Sequence, residues 1–317
     1  MVRQIPDPEI KKPTEILVRL KAAGVNPIDV KLRDRGTFYP DRMPAVLGCD
    51  AAGIVEAVGS EVNKFKAGDE VYFCNSGIGA YPGNYAELAV VDEKFVAKKP
   101  TSLNFIEAAA SPLVLITAWE SLYDRGKLQP GQRVLIHAGA GGVGHVAIQL
   151  AKLQGTQVAT TISSDEKAAF AKSMGADLTI FKNTDVVEQI LKWTDGEGVD
   201  LAFDTVGGKV FYDSIPAVKV YGDLVTILEP GPSCGNLKIA RLRNLRIGLE
   251  LMLTPMMQGM EESQHDQANI LQQCARLFDE GKLKIHLNTV FPLEDAIEAH
   301  RLLEAGSMVG KIVLSIS

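Results

Sequence analysis

Along the first hundred residues, apolar and polar positions alternate with a period of two. The run from Ile16 to Ala23 steps between faces, and Ala51 to Val58 and Val71 to Phe73 are short apolar stretches. Turn residues separate them at Asn26-Pro27, Arg35-Gly36, Gly68-Asp69 and Pro82-Gly83-Asn84. Short strands punctuated in this way predict a small barrel or sandwich. From Asn104 to Tyr123 the period becomes helical, with Glu107 in the first turn. Apolar strands and amphipathic helices then alternate. Strands are expected at 133–137, 157–162, 178–181, 201–204, 224–228 and 245–253, with helices at 143–153, 165–174 and 186–193. Continuous apolar strands between helices are what a parallel sheet buried on both faces requires. The tail breaks the alternation, with a helix over 264–280, a strand over 284–291, a short helix over 294–304 and a last strand over 311–316.

Composition narrows the classes. Of 317 residues, 46% are hydrophobic and 23% charged, which excludes a disordered or fibrous chain. The net charge of −6 gives no general pull toward nucleic acid or an anionic membrane. No stretch of about 18 apolar residues predicts a membrane span. The first thirteen residues carry Asp7, Glu9 and three prolines in place of an apolar leader, so no secretory signal is expected, and the four widely spaced cysteines read as reduced thiols of a cytoplasmic protein. Cys49, Cys74, Cys234 and Cys274 are far apart, which argues against both a disulfide scaffold and a cysteine-rich zinc module.

The segment from Val134 to Gly144 contains G-x-G-x-x-G at Gly139, Gly141 and Gly144, between a strand and a helix. In that setting the first glycine makes a tight turn and the second admits a pyrophosphate to the backbone. The third packs helix on strand, and the N–H groups at Gly142, Val143 and Gly144 face the phosphates. A preference for NAD would place Asp or Glu roughly 20 residues on, at the end of the second strand. Here that strand ends in Ser163 and Ser164, with Lys167 following, a set suited to a 2′-phosphate. A charge-assisted bond from Lys167 is worth on the order of 1.5–3 kcal/mol. NADPH is therefore the expected cofactor, although Ser164 is also a good helix cap.

With these pieces placed, the whole chain resembles the medium-chain dehydrogenase/reductase superfamily, and within it the zinc-independent quinone oxidoreductases. The resemblance rests on Ala22 to Lys31, Gly48 to Gly53 with Val55 and Gly59, Gly68 to Val71, Ala108 to Leu113 with Thr117 and Ala118, and the glycine loop. Gly175 to Asp177, Phe203-Asp204 with Gly207, and Gly310 to Leu314 complete it. It implies an α/β fold of two domains, a GroES-like β-rich catalytic domain and a Rossmann domain with a doubly wound parallel sheet. The first is formed by both chain ends (1–111 and 253–317) and the second by 112–252, with the active site between them. It also implies cofactor contacts from Thr117, Val206, Gly207, Leu228 and Lys311, a cleft role for Asn26, an anchoring role for Asp29, and an oxyanion or proton role for Lys31. Pairing into a homodimer would run through the strand at 245–253.

Zinc enzymes of the superfamily place ligands where this chain has Asn26 and Gly48-Cys49-Asp50, so no metal site is expected. Without a Lewis acid, a conjugated acceptor that spreads charge over its own π-system is the better hydride acceptor. The expectation is an NADPH-dependent reductase of quinones or α,β-unsaturated carbonyls. Tyr39 and Tyr81 are candidate stacking groups, Cys49 a buried small hydrophobe, and Met252, Met256, Met257 and Met260 a flexible oily segment. A zinc-type alcohol dehydrogenase relative and a non-catalytic NADPH-binding protein are the alternatives.

Overall fold

The computed structural model describes residues 3–317. The chain opens with β1 (Glu15–Val25), α1 (Pro27–Arg35), β2 (Asp50–Val58), β3 (Glu70–Cys74), β4 (Leu88–Asp92) and β5 (Ala97–Lys98). Then come α2 (Phe105–Ala109) and α3 (Pro112–Trp119). The single helix expected over 104–123 is thus divided. Asn104 and Glu107 cap α2 reciprocally, at 2.9 and 3.0 Å. Pro112, which lacks an N–H and disfavours helical geometry at Ser111, starts a new helix.

The middle of the chain alternates: β6 (Arg133–Ile136), α4 (Gly142–Leu153), β7 (Gln157–Ile162), α5 (Asp165–Ser173), β8 (Leu178–Phe181), α6 (Val186–Trp193), β9 (Val199–Asp204), α7 (Lys209–Ser214), β10 (Val218–Thr226), α8 (Lys238–Leu242) and β11 (Arg246–Leu249). The tail adds α9 (Thr254–Gln258), α10 (Glu261–Asp279), β12 (Leu287–Pro292), α11 (Ala296–Ala305) and β13 (Lys311–Ser315). The methionine segment is therefore partly helical, and the loop expected after Asn26 is the helix α1.

Two compact units result, one of Met1–Ile116 with Leu253–Ser317 and one of Thr117–Met252. The first holds a seven-stranded sheet ordered β12-β13-β1-β2-β3-β5, with β4 also on β1. Its core includes Ile16, Val18, Leu20, Phe73, Ile312 and Leu314, the inward positions of the period-two pattern. The second holds six strands ordered β11-β10-β9-β6-β7-β8, every pair parallel. Leu135, Ala159, Ala202 and Leu224 are buried at its centre. The order reverses between β6 and β9, the switch point at which doubly wound sheets bind ligands beyond the carboxyl ends of their strands. Among the described residues no helix is long and apolar enough to cross a membrane.

Candidate active site

The glycine loop lies at that switch point. Ala138 takes φ 51°, a left-handed corner, immediately after β6. A Cβ on Gly139 would stand 2.1 Å from Thr160 Oγ1, and one on Gly144 would stand 2.3 Å from the Ala138 carbonyl oxygen. Only hydrogen fits at either position. Gly141 caps α4 without a side chain, so none competes for the first-turn N–H groups of Gly142, Val143 and Gly144.

His137 and Thr161 hold the corner in place. Thr161 Oγ1 accepts from Ala138 N at 3.0 Å and lies 3.2 Å from His137 Nδ1. His137 Nε2 lies 2.8 Å from Ser214 Oγ, and Ser214 donates its one proton to Val210 O at 2.6 Å. Ser214 must therefore accept, so His137 carries its proton on Nε2 and receives the Thr161 hydroxyl at Nδ1. Burial lowers the His137 pKa to about 4 against the attraction of Asp204.

At the end of β7, Ser164 Oγ accepts from Lys167 N at 3.3 Å and caps α5, while Ser163 is exposed and Lys167 half-buried. Lys182, which pattern reading missed, starts beside them: Ile162 pairs with Phe181, and Lys182 N donates to Ile162 O at 2.9 Å. The signal was available, because residues that follow two paired parallel strands leave the sheet side by side. No carboxylate ends β7. On the other side of the switch, Asp204 Oδ1 accepts from Val206 N and Gly207 N, both at 2.9 Å, and its Oδ2 accepts from Thr226 Oγ1 at 2.9 Å. This clamp sets the turn after β9 and leaves Val206 exposed beside Leu228, which a Cβ on Gly207 would approach to 2.9 Å. Thr117 is buried on α3.

The first unit carries a buried charged cluster at one end of its sheet. Register places it there: Ile312 faces Val25, Gly24 faces Asp50, and Asp50 faces Cys74. Asn26, Asp29, Asp50 and Lys311 are all buried. Lys311 Nζ donates to Val25 O at 2.9 Å and to Asn26 Oδ1. Asn26 Nδ2 donates to Asp50 Oδ2 at 2.8 Å, and Asp50 Oδ1 accepts from Leu113 N at 2.8 Å. Asp29 Oδ2 accepts from Asn26 N at 2.8 Å, capping α1, and from Tyr85 OH at 3.1 Å. His300 Nε2 lies 3.2 Å from the same hydroxyl. Burial, reinforced by the charge of Asp50, raises the Asp29 pKa to about 7 despite the Asn26 N–H, Lys311 and Tyr85. Burial also raises Asp50 and lowers Lys311, each opposed by the other's charge.

The cluster bears on two of the expected roles. Lys311, expected at the cofactor, spends its ammonium inside the first unit. Lys31 lies exposed on α1, apart from the cluster that Asn26 and Asp29 join. Its position two residues beyond Asp29 turns it to another side of the helix. Tyr85 and His300 were missed, and Asp50 was weighed only as a metal ligand, because nothing local marks residues that only strand register and long-range packing assemble. Cys49 and Cys74 are buried, and desolvation pushes both thiols well above their ordinary range. Among the described residues no group of three or more His, Cys, Asp or Glu side chains is placed to hold a metal ion. Tyr39 donates to Met257 O at 3.2 Å under the Arg42 guanidinium, and Tyr81 is exposed.

Comparison with known proteins agrees with this architecture. Residues 12–101 match the family described as alcohol dehydrogenase GroES-like domain, and residues 174–314 match zinc-binding dehydrogenase. A quinone oxidoreductase of Pseudomonas aeruginosa is 35% identical, over 95% of this chain and 91% of that one. A zinc-type alcohol dehydrogenase-like protein of Staphylococcus epidermidis is 32% identical, over 95% and 90%. The Escherichia coli quinone oxidoreductase solved in complex with NADPH superposes with a TM-score of 0.83 at 31% identity, covering 99% of this chain and 94% of its own.

Proposed function

The chain belongs to the medium-chain dehydrogenase/reductase superfamily, in its quinone-oxidoreductase-like branch, and from that premise we propose that it is an NADPH-dependent reductase of quinones or α,β-unsaturated carbonyls that works without zinc. The observation that carries this reading is the carboxyl edge of the parallel sheet. There a glycine loop with uncapped N–H groups stands beside Ser163, Ser164, Lys167 and Lys182, and no carboxylate closes β7. Gly139, Gly141, Gly142, Val143 and Gly144 would receive the pyrophosphate. Ser163 and Lys167, with Lys182 beside them, would take the 2′-phosphate, and Thr117, Val206, Gly207 and Leu228 would line the nicotinamide end. NADPH supplies a hydride when bound.

Zinc does not fit the residues present. The positions that would ligate it hold an amide and a thiol that burial keeps protonated, and an ammonium already donates to that amide. A conjugated acceptor suits such a site. It delocalises the charge that hydride addition creates, so oriented hydrogen-bond donors suffice where a Lewis acid would otherwise be needed. Asn26, held by Lys311 and Asp50, would be such a donor, and Asp29 fixes the start of the helix that follows it.

The cofactor assignment is tested with Lys167→Ala. The ratio of kcat/KM for NADPH over NADH is expected to fall at least tenfold, as the loss of one charge-assisted bond requires. An unchanged ratio overturns the assignment. Turnover that survives exhaustive chelation, in protein free of zinc by elemental analysis, is the expected result for the metal-free chemistry.

A further inference from the structure

Lys311 is among the least exposed charged groups of the chain, at 3%. Taking an ammonium out of water is costly unless charge and hydrogen bonds compensate. Here they do. Gly310 takes φ 72°, with its absent Cβ pointing 2.3 Å from His286 O, and so turns the chain tightly into β13 at Lys311. The lysine then reaches across to the end of β1, where Val25 O and Asn26 Oδ1 accept from it. Gly24 makes room on the other side: a Cβ there would stand 2.9 Å from the Asp50 Cβ. Asn26 is thereby held at both ends, its oxygen by a cation and its nitrogen by an anion. That pattern admits one orientation of the amide, since a flipped Asn26 would set N–H against ammonium and oxygen against carboxylate. One Nδ2–H and one Oδ1 lone pair have no partner among these bonds, and their directions follow from the lock.

We propose that Lys311 is a positioning residue: its buried ammonium is the resident cation of the site, balancing Asp50 and locking the Asn26 amide, at the place where zinc-dependent members of the superfamily put metal ligands. The effect on turnover rests on the reductase reading above. The charge coupling between Lys311 and Asp50 does not.

The test compares Lys311→Met, Lys311→Arg, Asp50→Asn and the double variant Lys311→Met/Asp50→Asn, by melting, NADPH titration and steady-state reduction of a quinone panel. Lys311→Met leaves a buried carboxylate without its counter-ion and is expected to lower Tm by about 10 °C. The double variant buries no unpaired charge and is expected to recover at least half of that loss. In the double variant, NADPH is expected to bind within about twofold of wild type while kcat falls at least tenfold. Lys311→Arg, which keeps the charge, is expected to retain more kcat than Lys311→Met. Should Lys311→Met not fold, the double variant and Lys311→Arg carry the same comparison against Asp50→Asn. Additive losses of Tm in the double variant overturn the coupling. A loss of NADPH affinity as large as the loss of kcat overturns the positioning role and returns Lys311 to the cofactor. Wild-type protein that oxidises NADPH with no quinone or enone overturns the reductase reading, and the melting comparison still decides the coupling.

Discussion

His137 is kept neutral by burial, in a site where Nε2–H is committed to Ser214 and Nδ1 to the Thr161 hydroxyl. Its folded pKa of about 4 lies below the ordinary 6.5. Between those values the unfolded chain takes up a proton that the folded chain refuses, so this contribution is whole above pH 6.5 and is lost as pH falls toward 4. The shift of about 2.5 units corresponds to ~3 kcal/mol. Asp29 and His300 titrate in the same range, so the comparison must cancel them. His137→Gln is expected to be less stable than wild type at pH 7, and the gap is expected to narrow by up to ~3 kcal/mol between pH 6.5 and 4. Urea unfolding of both proteins across that range measures it, and a constant gap would exclude the neutral-histidine account.

The elements meet at turns whose geometry is set by single buried acceptors. Asp204 ends β9, orders Val206 and Gly207 through two backbone N–H groups and ties the turn to β10 through Thr226. Two N–H groups of the turn expected at the nicotinamide lose their acceptor in Asp204→Ala, and the Thr226 hydroxyl is left with Leu228 O alone. A loss of about 3 kcal/mol in unfolding free energy and a rise in the NADPH dissociation constant of at least tenfold are expected. Calorimetry and fluorescence titration measure the two separately. Stability lost with affinity intact would remove this turn from the cofactor site. The end of β1 follows the same logic: Asp29 caps α1 and joins the cluster, so what reads as a loop anchor is a helix start tied to Tyr85.

Across the whole molecule, one sheet edge stands out. β11 is the last strand of the parallel sheet, and Leu249 on it is 65% exposed, with Ile247 also exposed on the strand, Leu251 just beyond it and Leu242 on α8. A bare apolar edge invites pairing with a second copy. A homodimer joined edge to edge through β11 is expected at micromolar concentration by light scattering. Leu249→Lys is expected to shift the protein toward monomer, because the edge then carries a charge that a continuous sheet would have to bury. A monomeric wild type would end this proposal.

Periodicity and loop chemistry are local, and the sequence by itself determined what depends on them. The two halves of the α/β pattern, the strands from β6 to β9, the glycine turn whose close contacts admit no Cβ, and the missing carboxylate after β7 can all be read within a few neighbouring residues. Their energetics depend on the adjacent backbone. The break of the 104–123 helix at Pro112 and the helix after Asn26 lay at the limit of that reading, since each turns on one cap or one proline. The charged cluster lay beyond it. Asn26 and Lys311 are 285 positions apart and touch only because β13 pairs with β1 in one register. The fates of Lys31 and Lys311 were decided the same way, one left in solvent and the other buried as a counter-ion. Local chemistry gives both residues the same charge, and only the tertiary structure sets whether water or a carboxylate answers it.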